Sequence, residues 1–419
     1  MTLASAEAGE ATREAPVPPA SGTWIEIDRN ALRNNIGELR AMLGESEMCM
    51  VVKGNAYGHG YDPVVPIAEQ AGVRTFSVFS AREAAGFLAA SDGGSRLMVM
   101  GHADHRNLPW LIGNDLEPWL NDRNDWPVLR DAIDREAADH PMRLHLEVET
   151  GMNRTGLQPE AAFATALEII DHDGVVLEGV CTHLAGAEDS RNWDRIERQK
   201  RAYHGFLERL AEQGVRPNKR HMASSAAAIL QPDCRLDMAR IGIANYGLWP
   251  TREVRERMHG RPDAPRLCNV LAWKSRVVAV KRVVDGEYVG YGQSYEAEGD
   301  TVIAVVAVGY GDGFARDLSN RGFVLIRGKR ASIVGNVNMN MVQCHVTHIP
   351  RVQAGDEAVL IGRQGEREIS VHSFSDFNMT VNYELMSRLS WEIPRRVVDG
   401  PSVVLGEGRA SLETTGQAT

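Results

Sequence analysis

The sequence predicts an α/β fold, an N-terminal (β/α)8 barrel followed by a mostly β C-terminal domain, and three observations predict it. Short apolar runs alternate with helical-period stretches every roughly 25–40 residues, the rhythm of βα units around a parallel sheet. The rhythm lasts about 230 residues, which favours a barrel over an open doubly wound sheet, although spacing alone leaves both open. Past residue 262 it gives way to brief β-rich runs separated by Gly and Asp turns.

The elements follow in order along the 419 residues. Residues 1–22 are rich in Ala, Glu, Pro and Ser without apolar periodicity, the composition of a disordered leader. The barrel is expected over 23–261. Leu32, Ile36, Leu39 and Leu43 share one helix face, with Asp28 placed to cap it. MCMVV (48–52), TFSVF (75–79), RLMVM (96–100), RLHLEV (143–148) and VVLEGVCT (175–182) read as strands. Stretch 64–72 carries an apolar face, and Ser80 with Glu83 forms a capping box at the start of AREAAGFLAA. Helices are expected at 159–170 and at 192–213, the second closed by Gly214. The β domain is expected over 262–410, from LAWKSRVVAVKRV, TVIAVVAVG, GFVLIRG, RASIVGNV, EAVLIG and SVVLG, with a helical insert at 380–389. Residues 411–419 read as a loose tail.

Composition narrows the function classes. Lys plus Arg is 46 and Asp plus Glu is 56, a net charge of −10. A nucleic-acid partner needs a basic face and is not expected, though one cationic pocket for a single phosphate is compatible. No apolar run approaches the roughly 18 residues of a membrane helix. The N-terminus has neither basic start nor apolar stretch, so a secretory signal is not expected and a cytoplasmic location is. Five cysteines without a CxxC pair argue against a disulfide scaffold, a zinc ribbon or an iron–sulfur cluster. His102 and His105 are spaced i, i+3 without a partner carboxylate, so no metal site is expected.

VVKGNAYGHG (51–60) places Lys53 at the end of an apolar strand, with a tyrosine and three glycines close behind. In a barrel the C-terminal strand ends face the active site, where partial desolvation makes a lysine amine a nucleophile or base. Alone, such a lysine is more often a solvated charge. Its company changes that reading. ETGMNRTGL (149–157), THLAGAED (182–189), ASSAA (223–227), MARIGIANYG (238–247), VGYGQSY (289–295), GYGDGFAR with SNRG (309–322), GNVNMNM (335–341) and YELMSRLSWEIPRR (383–396) follow in order. Together these segments resemble the motifs of the alanine racemase family, enzymes that use pyridoxal 5′-phosphate (PLP), and the resemblance runs from about Trp24 to about Gly406.

The resemblance implies a barrel followed by a β domain, and a role for each motif residue. Lys53 holds PLP as a Schiff base. Tyr57, Ser225 and the backbone of Gly242 and Ile243 form the phosphate cup. Arg240 sits at the pyridine nitrogen. His183 packs against the cofactor ring and links Tyr291 to Arg240. Lys53 and Tyr291 are the two bases on opposite faces of the substrate's α-carbon. Arg154, with Tyr310 and the Met339 backbone, shapes the entrance and holds the substrate carboxylate. Lys53 is in the barrel and Tyr291 in the β domain, so the resemblance implies a head-to-tail homodimer with composite sites.

Departures from the family pattern touch the pocket. Glu147 stands seven residues before Arg154, where many relatives carry a carbamylated lysine; a native carboxylate supplies that anion unmodified. Ser224 replaces an Asn, Asn338 and Asn340 flank Met339 where Cys and Asp are usual, and Trp391 lies at a variable position. These changes leave racemisation in place and open the substrate to serine or basic amino acids as well as alanine. A PLP barrel decarboxylase and a non-catalytic PLP-binding protein are the readings from other classes; Tyr291 and the β domain argue against both.

Overall fold

The structure, a computed structural model, describes residues 22–400 apart from 103, 137–139, 372 and 374–381. The leader at 1–21, the SVVLG strand and the tail at 411–419 lie outside the described residues. Strand β1 (Thr23–Asp28) leads into α1 (Arg29–Leu43), and the Asp28 carboxylate accepts from the N–H groups of Asn30 and Ala31. Leu32, Ile36, Leu39 and Leu43 on that helix are buried, as their spacing predicts.

Eight parallel strands then form the barrel: β2 (Glu47–Val51), β3 (Thr75–Val78), β4 (Arg96–Val99), β5 (Glu117–Leu120), β6 (Met142–Glu147), β7 (Val175–Cys181), β8 (Lys219–His221) and β9 (Met238–Ile241). Each pairs with the next from β2 to β8, and β9 pairs with β2. The remaining seam is joined by Asp237 N–H donating to Arg220 O (3.2 Å) and Arg240 N–H to Ala223 O (3.0 Å). The interior is packed, with Cys49, Met98, Trp119, Cys181 and Met238 forming one buried cluster. Helices cover the outside, including Pro159–Ile170 and Trp193–Glu212 near the expected bounds.

Three barrel strands were not legible as strands. EPWL carries a proline, KRH is three residues with two charges, and MARI has a buried arginine in its middle. Their apolar signal is too short, and the barrel's closure supplies the pairing that their propensity does not.

The second domain comprises β10 (Leu271–Val283), β11 (Thr301–Val306), β12 (Phe323–Ile326), β13 (Lys329–Ile333), β14 (Val342–His345), β15 (Glu357–Gln364), β16 (Arg367–Ile369) and β17 (Arg395–Val398), with a helix at Asn382–Ser387 inside the expected insert. Strands β10, β11, β14, β13, β12 and β15 pair in that order, and β15 returns to β10, closing an antiparallel ring. The boundary at residue 23 is corrected here. Strand β1 belongs to this second sheet, antiparallel to β10 and parallel to β17. The Trp273 indole N–H donates to Thr23 Oγ1 (2.9 Å) to fix the join. The described chain therefore passes from the second sheet into the barrel and back.

Candidate active site

Strand β2 ends at the mouth of the barrel, and the backbone after it turns left-handed. Gly54, Asn55, Ala56, Tyr57 and Gly58 have φ of 63°, 54°, 54°, 52° and 79°. Left-handed helix costs each non-glycine residue about 1–2 kcal/mol, so the surroundings must hold it. They do so with specific bonds. Asn55 Oδ1 accepts from Tyr61 N–H (3.0 Å). His59 Nδ1 lies 3.0 Å from the carbonyls of both Ala56 and Tyr57, so this nitrogen carries the proton. Burial holds the His59 pKa at about 4, and its ring stacks on Tyr246 at 4.3 Å.

Glu83 does more than the expected capping box. Ser80 Oγ accepts from Glu83 N–H (3.3 Å), as predicted. The carboxylate, however, accepts from Phe79 N–H (2.7 Å) and from Gly54 N–H (2.9 Å), tying the helix start to the lysine turn. Solvent reaches Lys53 at the barrel mouth, yet the surrounding wall partly strips its ammonium of water. That desolvation and the Arg154 charge hold its pKa below the ordinary value, with Glu83 opposing them and Arg240 adding to them.

Tyr57, Ser225 and Gly242 meet beside this turn. Ser225 Oγ accepts from Gly242 N–H (3.0 Å). A Cβ on Gly242 would lie 2.4 Å from the Tyr57 hydroxyl, so only glycine lets the phenol pack this closely on the strand end. Burial raises the Tyr57 pKa, keeping the phenol protonated and a donor. Ile243 begins a 3-10 turn (Ile243–Tyr246) whose first N–H has no acceptor within the turn. A phenol held protonated, a serine hydroxyl and a turn N–H without an acceptor in its own turn are donor types that suit a phosphate. Gly242 makes room for the Tyr57 ring and is not a donor, because its N–H is given to Ser225.

Arg240 is buried on β9, and its described hydrogen bonds run to His221 and to backbone carbonyls. Its Nη1 donates to His221 Nδ1 (2.7 Å) and His221 O (3.1 Å), and its Nη2 to Thr182 O (3.0 Å) and Met222 O (3.3 Å). Arginine has five N–H groups, so among the described bonds only Nε–H stays uncommitted. Since Arg240 can only donate, His221 Nδ1 accepts and its Nε2 carries the proton toward His145 Nδ1 (3.0 Å). His145 Nε2 then donates to Glu117 Oε2 (3.0 Å). Burial alone would raise the Glu117 pKa, but hydrogen bonds from His145 and Arg96 outweigh it and hold it at about 2. Arg143 Nε adds a further bond (2.8 Å). The residues of this buried chain were missed from sequence. The signal available was polar residues facing inward on short barrel strands, Glu117, His145 and His221.

His183 lies near Arg240, Arg154 and Lys53; burial and then those charges lower its pKa to about 3, so it is neutral. Glu147 is buried on β6, hydrogen-bonded by Thr155, and burial raises its pKa against the pull of Arg240 and Arg154. Among the described ion pairs none joins it to Arg154, and its charge acts on that exposed arginine at range. Neighbouring Glu149 accepts from the N–H groups of Gly151, Met152 (2.7 Å) and Asn153 (2.7 Å), shaping the Arg154 loop.

The remaining residues lie apart on the second domain. Tyr291 is 74% exposed, Met339 55% and Tyr310 44%. Tyr310 N–H donates to Asn338 O (3.0 Å) and Gly311 N–H to Met339 O (2.9 Å), while the Asn336 side chain donates to Tyr291 O (3.0 Å). Within one chain, then, the described groups gather at two places. One is the barrel mouth with Lys53, Tyr57, Arg154, His183, Ser225, Arg240, Gly242 and Ile243; the other is this exposed loop cluster. Trp391 is exposed beside Arg82, whose guanidinium lies 6.0 Å from the indole. The expectation that His102 and His105 lack a carboxylate is corrected. Asp125 lies 3.2 Å from His102 Nδ1 and 3.4 Å from His105 Nε2 at the surface, distances that hydrogen bonds account for.

Comparison with known proteins covers both domains. Residues 27–250 match the family model for the alanine racemase N-terminal domain, and 270–397 that for the C-terminal domain. An alanine racemase from Leptospira interrogans serovar copenhageni is 35% identical over 384 residues, covering 90% of this chain and 96% of its own. The crystal structure of alanine racemase from Bacillus anthracis with bound L-Ala-P superposes with a TM-score of 0.82 at 31% identity, over 91% of this chain and 96% of its own. A histidine racemase from Leuconostoc mesenteroides subsp. sake shares the fold at a TM-score of 0.81 and 24% identity, over 91% and 99%.

Proposed function

The chain belongs to the alanine racemase family and is an amino acid racemase; we propose that it interconverts L- and D-alanine with PLP, in the cytoplasm. The observation that carries the cofactor is the meeting of the Tyr57 hydroxyl, Ser225 and the start of the Ile243 turn at Gly242, beside the Lys53 turn. When bound, PLP withdraws electrons from the substrate's α-carbon and makes its proton removable. Lys53 attaches the cofactor, and Tyr57, Ser225 and Ile243 hold its phosphate. Arg240 offers Nε–H to the ring nitrogen, its other donors being occupied; as a permanent cation it leaves that nitrogen unprotonated and moderates the electron withdrawal. His183, neutral, packs against the ring. Arg154 and the Met339 backbone hold the substrate carboxylate, and Tyr310 narrows the way in.

Racemisation needs a base on each face of the α-carbon, and Lys53 and Tyr291 are those bases. Tyr291 stands exposed among other exposed apolar side chains, Tyr288, Met339 and Met341, the kind of patch that marks an interface. A head-to-tail homodimer places this cluster over the barrel mouth of the partner subunit and completes two sites.

A polar substrate is the second reading. Asn338 Oδ1 is buried beside Met339 without a hydrogen-bond partner among the described residues, an acceptor suited to a side chain with a donor, such as serine or a basic amino acid. The deciding experiment follows α-proton exchange from deuterated water into all twenty amino acids, with chiral analysis of the products. Alanine is expected to have the highest kcat/KM. A higher value for serine or lysine shifts the assignment, and no exchange with any amino acid refutes racemisation.

Glu147→Gln tests the built-in anion. Removing a charge that acts at range on Arg154 and Arg240 alters a Coulomb term of about 1–2 kcal/mol at an effective dielectric of about 20. kcat/KM is expected to fall roughly tenfold, with PLP retained and with no effect of added bicarbonate on the wild type. Because its pKa is raised, Glu147 loses its charge earlier on acidification than an ordinary carboxylate, so the variant should also lose an acid limb of the pH profile. Glu147→Lys should regain activity only with bicarbonate. A wild-type profile in Glu147→Gln overturns the role.

A further inference from the structure

Arg395, the first residue of β17, is a half-buried guanidinium bonded to backbone. Nε and Nη2 donate to Gly58 O (3.3 and 2.9 Å), and Nη1 donates to Ser390 O (2.7 Å) and Ile393 O (2.6 Å). Burial lowers its pKa to about 10. A cation taken partly out of water, with no facing carboxylate among the described residues, is destabilised, so this placement needs a reason. Gly58 supplies one. It closes the left-handed turn that carries Lys53, and the carbonyls at the end of such a turn have no continuing helix to satisfy them. His59 takes those of Ala56 and Tyr57, and Arg395 takes that of Gly58. At the opposite end Glu83 holds Gly54 N–H. The second domain also presses on the same spot, since a Cβ on Gly58 would lie 1.9 Å from Met386 O.

We propose that Arg395 is a positioning residue: from the second domain it holds the Gly58 end of the left-handed turn and so fixes where Lys53 projects into the barrel mouth. The turn is intrinsically unfavourable, and its ends are pinned by one carboxylate from the barrel and one guanidinium from the other domain. Strand β17 thereby reaches the cofactor lysine without touching cofactor or substrate. The proposal rests on Lys53 being that lysine, but its first readout does not.

The test uses the full-length, PLP-loaded protein with Arg395→Gln and Arg395→Lys. Amide hydrogen exchange of peptides spanning 53–60 is expected to speed at least about tenfold in Arg395→Gln, with β3 and β11 unchanged. kcat for the best substrate should fall about tenfold with KM unchanged, because Arg154 and Met339 are untouched. Arg395→Lys keeps the charge and reaches Gly58 O with one donor, so it should recover part of both. Unchanged exchange at 53–60 in Arg395→Gln overturns the proposal, as does exchange that rises equally across the whole second domain. If Arg395→Gln fails to fold, wild-type exchange and kcat in Arg395→Lys do the same. Loss of protection at 53–60 in a protein with no racemase activity would refute the proposed function and leave this inference standing.

Discussion

Lys53→Ala is expected to abolish turnover, by at least about 10^4-fold, because it removes both the cofactor's attachment and one of the two bases. The fold should be untouched. The bonds that hold the turn run through Gly54 N–H, the Ala56 and Tyr57 carbonyls and Gly58 O, and none uses the lysine side chain. The contacts among Tyr57, Gly242 and Ser225 do not use the lysine either, so the variant should still bind PLP, weakly and reversibly. Visible absorbance, borohydride reduction and peptide mass analysis check this. Cofactor reduced onto a different lysine in the wild type would remove Lys53 from the mechanism.

Tyr291→Phe should lower racemisation by about 10^2- to 10^4-fold, the usual range for one acid–base group, while PLP stays bound. Its exposure in the single chain makes a folding defect unexpected. Exchange of the α-proton from the D-enantiomer, on the Lys53 face, should suffer less than exchange from the L-enantiomer. Equal loss with both would argue against one base per face. The same variant tests the composite site. Mixing inactive Lys53→Ala and Tyr291→Phe dimers should restore about a quarter of wild-type activity, since about half the dimers become mixed and each regains one intact site. No recovery after confirmed subunit exchange would place both residues in one chain's site.

How much of this was legible varies by residue. Strands β2, β3, β4, β6 and β7 announce themselves as apolar runs, and α1 as a periodic face with its Asp28 cap. Strands β5 and β8 do not, because EPWL and KRH are held by neighbours on both sides and not by their own propensity. The motif around Arg240 was readable, but its partner was not. His221 ends β8 and His183 lies two residues past β7, and which one accepts from Nη1 depends on how neighbouring strands are staggered. Glu83 shows the same limit, since its capping role is local and its bond to Gly54 spans 29 residues.

The sequence by itself determined the barrel-then-sheet order, five of the eight barrel strands, the lysine-bearing strand end and the motif residues around it. Those signals are local: burial periodicity, capping and turn chemistry act over a few residues and leave their trace in the letters. The tertiary structure alone decided that β1 joins the second sheet, that Arg240 is bonded to His221, and that Arg395 grips Gly58 across 337 residues of chain. Each of these is settled by sheet closure and by the need of a buried polar group for a partner. Both conditions arise only once distant segments have been brought together and water has been removed from between them.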